Sequence, residues 1–597
     1  MRKTMKTNKL KYLCILGAVT LGLSSCDDMF SPAIENNLGL DYMNQNASYA
    51  EGVLGNGYTR IPCGSFPFNE VATDDAVSND NTNNWRKITS GTWAADNNPA
   101  ERWRDCRSGI MYMNLFLSRV DQVRWAEDKV ASKLYAARER GEAYALRAMF
   151  MYYLLQAHGG YDAKGTLLGV PIVTTPEDVN SQFNMPRETF AECMKAFYAD
   201  CDSALALLPM RYSDISSVNE IPALYKQMGA DVSTLNRVFG GKFNGRMDGT
   251  IVKAFRSKAA LLAASPAYAD QSGTDYKAAA DYAAEVLDAN GGLAGMDPTG
   301  WHWFSNTAEI NGLKDGINPK EILWRGQKSS NNDWEKDNYP PSLQGKGRIN
   351  PTQNFVDAFP MANGYAITDA KSGFDPAHPY DGRDPRLAAF VVLDSSKVGS
   401  GDKEIYTHVG GLYDGIDYEQ GTSTRTGYYM RKLLRQDINL EPNVNTKQDH
   451  YTPRIRYTEI FLNYAEAANE AFGPEGKGGH GYSAYDIIKA LHDRAGVGND
   501  YLESIKGNKE AMRQLIRNER RIELSFEGFR FWDLRRWKAP INEPAMGIRK
   551  VINADGSATY NKVEVEKRNF ADYMYYGPIP YTECLKFSEL TQNKDWK

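Results

Sequence analysis

The sequence predicts a mainly α-helical protein, a helical scaffold that presents long irregular loops and a few short strands. Three observations predict it. Apolar residues recur at three- and four-residue steps in well-separated blocks. Long polar stretches rich in Gly and Pro lie between those blocks. Strand signals are confined to short runs, and no low-complexity linker or compositional break divides the chain after Cys26.

The first segment reads as an export signal. Arg2, Lys3, Lys6, Lys9 and Lys11 form a basic region with no acidic residue before Asp27. The apolar stretch Tyr12 to Leu23 follows, too short for a membrane span of roughly 20 residues. Residues 1–25 are therefore expected to be a signal peptide. Leu23-Ser24-Ser25-Cys26 resembles a bacterial lipoprotein cleavage site, with Cys26 as the expected acylation point. Several acyl chains, at about 0.8 kcal/mol per buried CH₂, hold a protein on a membrane almost permanently. Asp27 and Asp28 resemble the acidic surface-export signal of such lipoproteins. Cleavage removes five basic residues and no acidic one, taking the formal charge from -5 to -10. No basic run points to nucleic acid.

The helical blocks come next. Glu142 to His158 is apolar nearly all round and stops at Gly159-Gly160, as a buried helix should. Phe190, Met194, Phe197, Cys201, Leu205 and Leu208 form one stripe. Tyr276, Ala280, Ala283 and Leu287 form another before Asn290-Gly291-Gly292, and Ile460, Tyr464, Ala467 and Ala471 a third. Small residues on these faces allow close helix approach. The scaffold is thus expected over 100–290 and 450–540. The polar stretches Arg211 to Gly249, Gly291 to Gly347 and Asp394 to Tyr451 are expected to be loops, of a length that usually carries function. Strand signals within these regions include Glu321 to Trp324 and Ala389 to Leu393. Cys193 and Cys201 would stand roughly 12 Å apart on one helix, beyond disulfide reach.

Several motifs, in order, resemble the SusD/RagB family, and the match runs nearly end to end. They are Arg140-GEAYALRAMFMYYLLQAHGG-Tyr161 with Gly169-Val-Pro171, Arg383-Asp-Pro-Arg-Leu387, and Arg456-YTEIFLNYAEAAN-Glu470. The most specific is Asn518-ERRIELSFEGFRFWDLRRW-Lys538, followed by Gly577-Pro-Ile-Pro580 and Gln592-Asn593…Trp596. Lys594-Asp595 departs from the family's frequent Pro-Gly turn. The resemblance implies a TPR-like helix-pair scaffold over a single domain, 26–597, with ligand loops at about 60–100 and 291–450. It implies an outer-membrane lipoprotein facing the cell exterior, which passes a glycan to a TonB-dependent (SusC-like) transporter. A strict 34-residue repeat is not readable.

Three function classes compete. A glycoside hydrolase needs two carboxylates flanking a cleft, roughly 5–10 Å apart. Glu519, Glu523 and Glu527 share a helix face, but the interleaved arginines and surrounding aromatics read as structure. Asp74-Asp75, the best loop pair, are adjacent and read as solvated or turn-forming. The seven histidines are scattered, without a zinc motif or phosphate loop. No cofactor is indicated, and a loop calcium is left open without EF-hand-like spacing. A glycan binder needs aromatic platforms with polar groups beside them, each stack contributing on the order of 1 kcal/mol. Trp85, Trp93, Trp301, Trp303, Trp334 and Tyr339 are the candidates, with Arg86 and Asp75. Trp103 and Trp324 are assigned to the core. The third class, an interaction partner of the transporter, coexists with binding. A peptide ligand, as in RagB-type relatives, is the alternative to glycan.

Overall fold

The computed structural model describes residues 40–62, 64–418 and 421–597. The expected signal peptide, Cys26 and Cys63 lie outside the described residues.

The scaffold helices are α1 (Ala47–Thr59), α2 (Trp103–Leu117), α3 (Lys129–His158), α4 (Phe190–Leu205), α5 (Val232–Phe239), α6 (Gly249–Ala264) and α7 (Tyr276–Ala289). After the short α8 (Gln353–Ala358) come α9 (Tyr457–Phe472), α10 (Ala484–Ala495), α11 (Lys509–Glu523) and α12 (Arg530–Trp537). Local chemistry sets their ends. Thr189 and Glu192 form a reciprocal capping box at the start of α4, and Ser483 with Asp486 does the same for α10. Asp128 caps α3 and Asp275 caps α7. Gly159 ends α3 where a Cβ would stand 2.6 Å from the Leu155 carbonyl.

Each scaffold helix packs on its neighbours in a ladder. The order is α1 on α2, α2 on α3, α3 on α4, α6 on α7, then α7 on α9, which also carries α10 and α11. This nearest-neighbour stacking is the helix-pair arrangement the resemblance implies. Alanines make the close approaches: Ala279, Ala280, Ala283 and Ala284 of α7, and Ala465, Ala467 and Ala468 of α9, are all buried. Trp103 and Trp324 are buried too, as their positions predict. Cys193 and Cys201 are buried free thiols in α4.

The mid-chain stretches differ from the expectation of loose loops. Residues from about 291 to 440 enclose a second hydrophobic core around Phe355, Phe359, Phe390, Tyr428, Tyr429 and Leu434, with Phe66 and Val71 from the N-terminal region. Very short antiparallel pairs tie it together. β1 (Ala76–Ser78) pairs β4 (Ile349–Pro351), β2 (Ile322–Arg325) pairs β8 (Pro453–Arg456), β3 (Ser329–Asn331) pairs β7 (Gln448–His450), and β5 (Val391–Val392) pairs β6 (Tyr429–Met430). The signal at Glu321 to Trp324 becomes β2. That at Ala389 to Leu393 is split. Arg386–Phe390 is a helical turn, started by Asp384, which accepts from the Arg386 amide at 2.9 Å, and β5 follows. The longest strands, β9 (Ala545–Ile552) and β10 (Ala558–Glu566), form a C-terminal hairpin absent from the sequence expectation.

Candidate functional site

The strongest motif builds an ion network. Arg386 is fully buried and bonds three carboxylates: Asp384 at 2.7 Å, Glu523 at 2.9 Å, and Glu519. Glu523 also meets Arg494 at 2.9 Å, and Glu527 meets Arg456 and Lys432 at 2.7 and 2.8 Å. Burial alone would raise the Glu519 carboxyl, but Arg386 and His492 hold it well below its ordinary value. Every glutamate of the cluster is neutralised by a cation, which is the structural reading. The Asp-Pro-Arg turn supplies the central guanidinium.

The aromatic candidates separate by burial. Trp93 is 3 % exposed, wedged between Phe531 and Trp596 at 6.1 and 4.9 Å, with Nε1 donating to Asn98. Trp303, 4 % exposed, packs on Phe66 and Tyr451. Tyr339, 1 % exposed, donates to the Arg435 carbonyl. These three are core residues: Trp303 and Tyr339 fill the interior of the mid-chain region, and Trp93 a separate cluster with Phe531, Trp532 and Trp596. Asp75 is likewise buried, and neither it nor Asp74 is a solvated turn. Arg521 bonds Asp75 at 2.6 Å and Arg530 bonds Asp74 at 2.8 Å. The two arginines hold the Asp74 carboxyl far below its usual range, against burial.

Trp85, Trp301 and Trp334 stay half-buried. They do not stack on one another. Trp85 lies edge-on to Phe531, Trp301 packs on Phe390, and Trp334 lies between Phe66 and His450. Arg86 spans from Asn81 to Glu566 at the end of β10.

A different aromatic surface gathers on the hairpin. Its register sets Lys550 opposite Tyr560 and Ile548 opposite Lys562, so alternation puts the four on one face. Beside that face lies a cavity of about 120 Å³ walled by the rings of Phe374, Tyr380, Tyr428 and Tyr560. Tyr380 stands edge-on to Tyr560 at 5.9 Å, and its hydroxyl is 3.0 Å from that of Tyr428. A polar chain continues. The Tyr428 hydroxyl donates to Gln353 Oε1 at 2.6 Å, Gln353 Nε2 donates to Asp357 at 2.6 Å, and Lys562 closes on Asp357 at 2.6 Å. Burial raises both phenols, so they remain neutral hydrogen-bonding groups. Arg383 lines the cavity and donates to the Val356 and Phe359 carbonyls at 2.6 and 2.7 Å.

A second group of rings lies on the loop that β9 holds through Lys550 and, on its opposite face, Arg549. Lys550 bonds Asp394 at 2.8 Å, Asp394 bonds His408 at 2.9 Å, and Tyr406 packs on His408. The Val409 amide donates to the Lys550 carbonyl at 2.9 Å, pinning this loop to the strand. Tyr413 and Tyr418 meet at 5.0 Å beside the Arg549–Asp417 ion pair, and Tyr413 is 57 % exposed. Rings with fixed hydroxyls, amides and ion pairs beside them suit the C–H faces and hydroxyl rims of a sugar. Sequence reasoning followed tryptophan and missed these residues. Their signal was a repeated tyrosine in the Gly- and Asp-rich run Tyr406 to Tyr418.

Comparisons with known proteins agree with this architecture. Residues 320–596 match the model of the SusD family. Residues 44–226 match a SusD-like model described as "Starch-binding associating with outer membrane". No curated protein sequence matches. A SusD-like protein of Bacteroides fragilis superposes with TM-score 0.69 at 21% identity, covering 95% of this chain and 100% of that one. A SusD-like carbohydrate binding protein of the same organism gives 0.63 at 20%, covering 92% and 99%. A laminarin binding SusD-like protein gives 0.56 at 19%, covering 92% and 100%. The fold is thus that of the SusD-like class, a mainly helical scaffold bearing a second, loop-built core. The chain belongs to the SusD family. Among the described residues no helix is long and apolar enough to cross a membrane.

Proposed function

We propose that the mature protein is a cell-surface lipoprotein, anchored through Cys26, that binds oligo- or polysaccharide without cleaving it. It hands the glycan to a TonB-dependent transporter of the SusC type in the outer membrane. The observation that carries the reading is the hairpin surface. Tyr380 and Tyr560 flank a polar cleft, and the open rings of Tyr406, Tyr413 and Tyr418 lie on the neighbouring loop that is pinned to β9. Family membership and the carbohydrate binding named for two structural neighbours support it. A tether confines the protein near its transporter and raises the effective concentration of each for the other.

Affinity electrophoresis against a polysaccharide panel, with a reducing-end assay in parallel, tests this. Retardation by at least one glycan without product release is expected. Tyr560→Ala and Tyr413→Ala should each weaken binding by roughly fivefold, since one ring contact is worth about 1 kcal/mol. Steady release of reducing ends would overturn the reading, as would retention that both variants leave intact.

A further inference from the structure

A second concave site lies on the last two scaffold helices. A groove of about 210 Å³ between α11 and α12 is lined by Arg517, Arg521 and Arg530, with Asn518 and Trp537. No carboxylate lines it. Arg521 and Arg530 are held from behind by Asp74 and Asp75. Arg517 is different. Among the described residues it has no ion-pair partner, and its Nε is buried without an acceptor. Its guanidinium lies 4.8 Å over the Trp537 ring. The carboxylate that acts most strongly on Arg517 is Glu466, which is already bonded by Arg536 and by Trp537 Nε1, so the Arg517 guanidinium is left with no direct carboxylate contact in the groove. Burial pulls the Arg517 pKa below its ordinary value, yet an arginine stays charged near neutrality.

The groove adjoins the hairpin cleft through α8. Asn518 Nδ2 donates to the Ala358 carbonyl at 2.8 Å, and Gln353 and Asp357 of the same helix line the cleft. The cationic groove and the cleft thus meet at the C-terminal turn of α8, where Asp357 lines the one and Ala358 bonds a residue of the other. A free guanidinium fork matches a planar or tetrahedral oxyanion better than it matches a neutral hydroxyl.

We infer that the glycan is acidic, and that the α11–α12 groove takes a carboxylate or sulfate group carried by it, with Arg517 as the principal donor. This rests on the glycan reading above and names its substrate class. A neutral glycan would leave the stacked, unpaired Arg517 without a partner.

Calorimetry on the mature chain with four probes tests the inference: glucuronate, glucose 6-sulfate, methyl glucoside and inorganic sulfate. The first and second should bind at least roughly tenfold more tightly than methyl glucoside, with affinity falling as salt rises. Whichever sugar anion binds more tightly identifies carboxylate or sulfate as the preferred group. Arg517→Gln should lose that preference, and Arg517→Lys should keep part of it through charge alone. Circular dichroism melting of both variants checks that they fold. Equal binding of charged and neutral sugars, or a preference that survives Arg517→Gln, would overturn the groove. Inorganic sulfate binding as tightly as glucose 6-sulfate would also overturn it, assigning the site to a free anion. Glucuronate binding lost in Arg517→Gln, with no polysaccharide held at the hairpin, would instead sink the transport reading and spare the groove.

Discussion

Replacing Arg386 with methionine removes the one cation shared by three buried carboxylates. Asp384 has no other ion-pair partner among the described residues, and Glu519 keeps only His492 at 3.5 Å. Glu523 retains Arg494. Breaking a single buried pair costs about 3–5 kcal/mol, and here two carboxylates lose their main counter-charge at once. The expected loss lies at the top of that range, a large share of the roughly 5–15 kcal/mol that holds a domain. The urea midpoint followed by circular dichroism at pH 7 measures it. The pH dependence has a fixed sign. Arg386 and His492 depress Glu519, and Arg494 with Arg386 depresses Glu523, each against burial. Stabilisation from such groups is full above the unfolded value near 4.3 and is lost as pH falls through the folded values. The gap between wild type and Arg386→Met should therefore be widest at neutral pH and narrow below about pH 4. A loss under about 1 kcal/mol at pH 7, or a gap that widens in acid, would refute the structural reading of this network.

Other outcomes follow from individual environments. Trp93→Ala should cost about 3–5 kcal/mol, as a buried tryptophan does, and leave binding by the folded fraction unchanged; weakened binding at unchanged stability would return Trp93 to the ligand site. Burial raises the Glu70 carboxyl to about 7, while its Oε1 accepts from the Gly528 amide at 3.0 Å. Stability from its neutral form is full below the unfolded value near 4.3 and is lost as pH climbs toward 7. Glu70→Gln should therefore gain on wild type with rising pH, reaching roughly 3 kcal/mol above pH 7; parallel curves of urea midpoint against pH for the two proteins would contradict the shift.

The scaffold was legible because burial there follows helical periodicity. The stripe Phe190, Met194, Phe197 and Cys201 is buried along α4, and the alanines of α7 and α9 face their neighbours. The second core was not legible. Its apolar residues arrive as pairs and triplets, such as Val391-Val392 and Tyr428-Tyr429-Met430, on strands of two to four residues that no periodic window detects. The same gap explains the site. Trp303 and Tyr339 sit in polar sequence and looked exposed, yet long-range packing gives them an interior. The hairpin was hidden because β10 has few apolar residues: Lys562, Glu564 and Glu566 take up most of one face, and Thr559 and Asn561 interrupt the other before Val563 and Val565. The arginine-rich motif was readable as structure, although its partners Asp74 and Asp75 lie more than 400 positions away in sequence.

The most direct test is a crystal structure of the mature chain with an oligosaccharide from whichever polysaccharide it retains. An intact sugar chain should lie against Tyr560 and Tyr380, with hydroxyls bonded to Gln353, Asp357 or Lys562. Sugar bound on another face, with the hairpin tyrosines bare, would contradict the account.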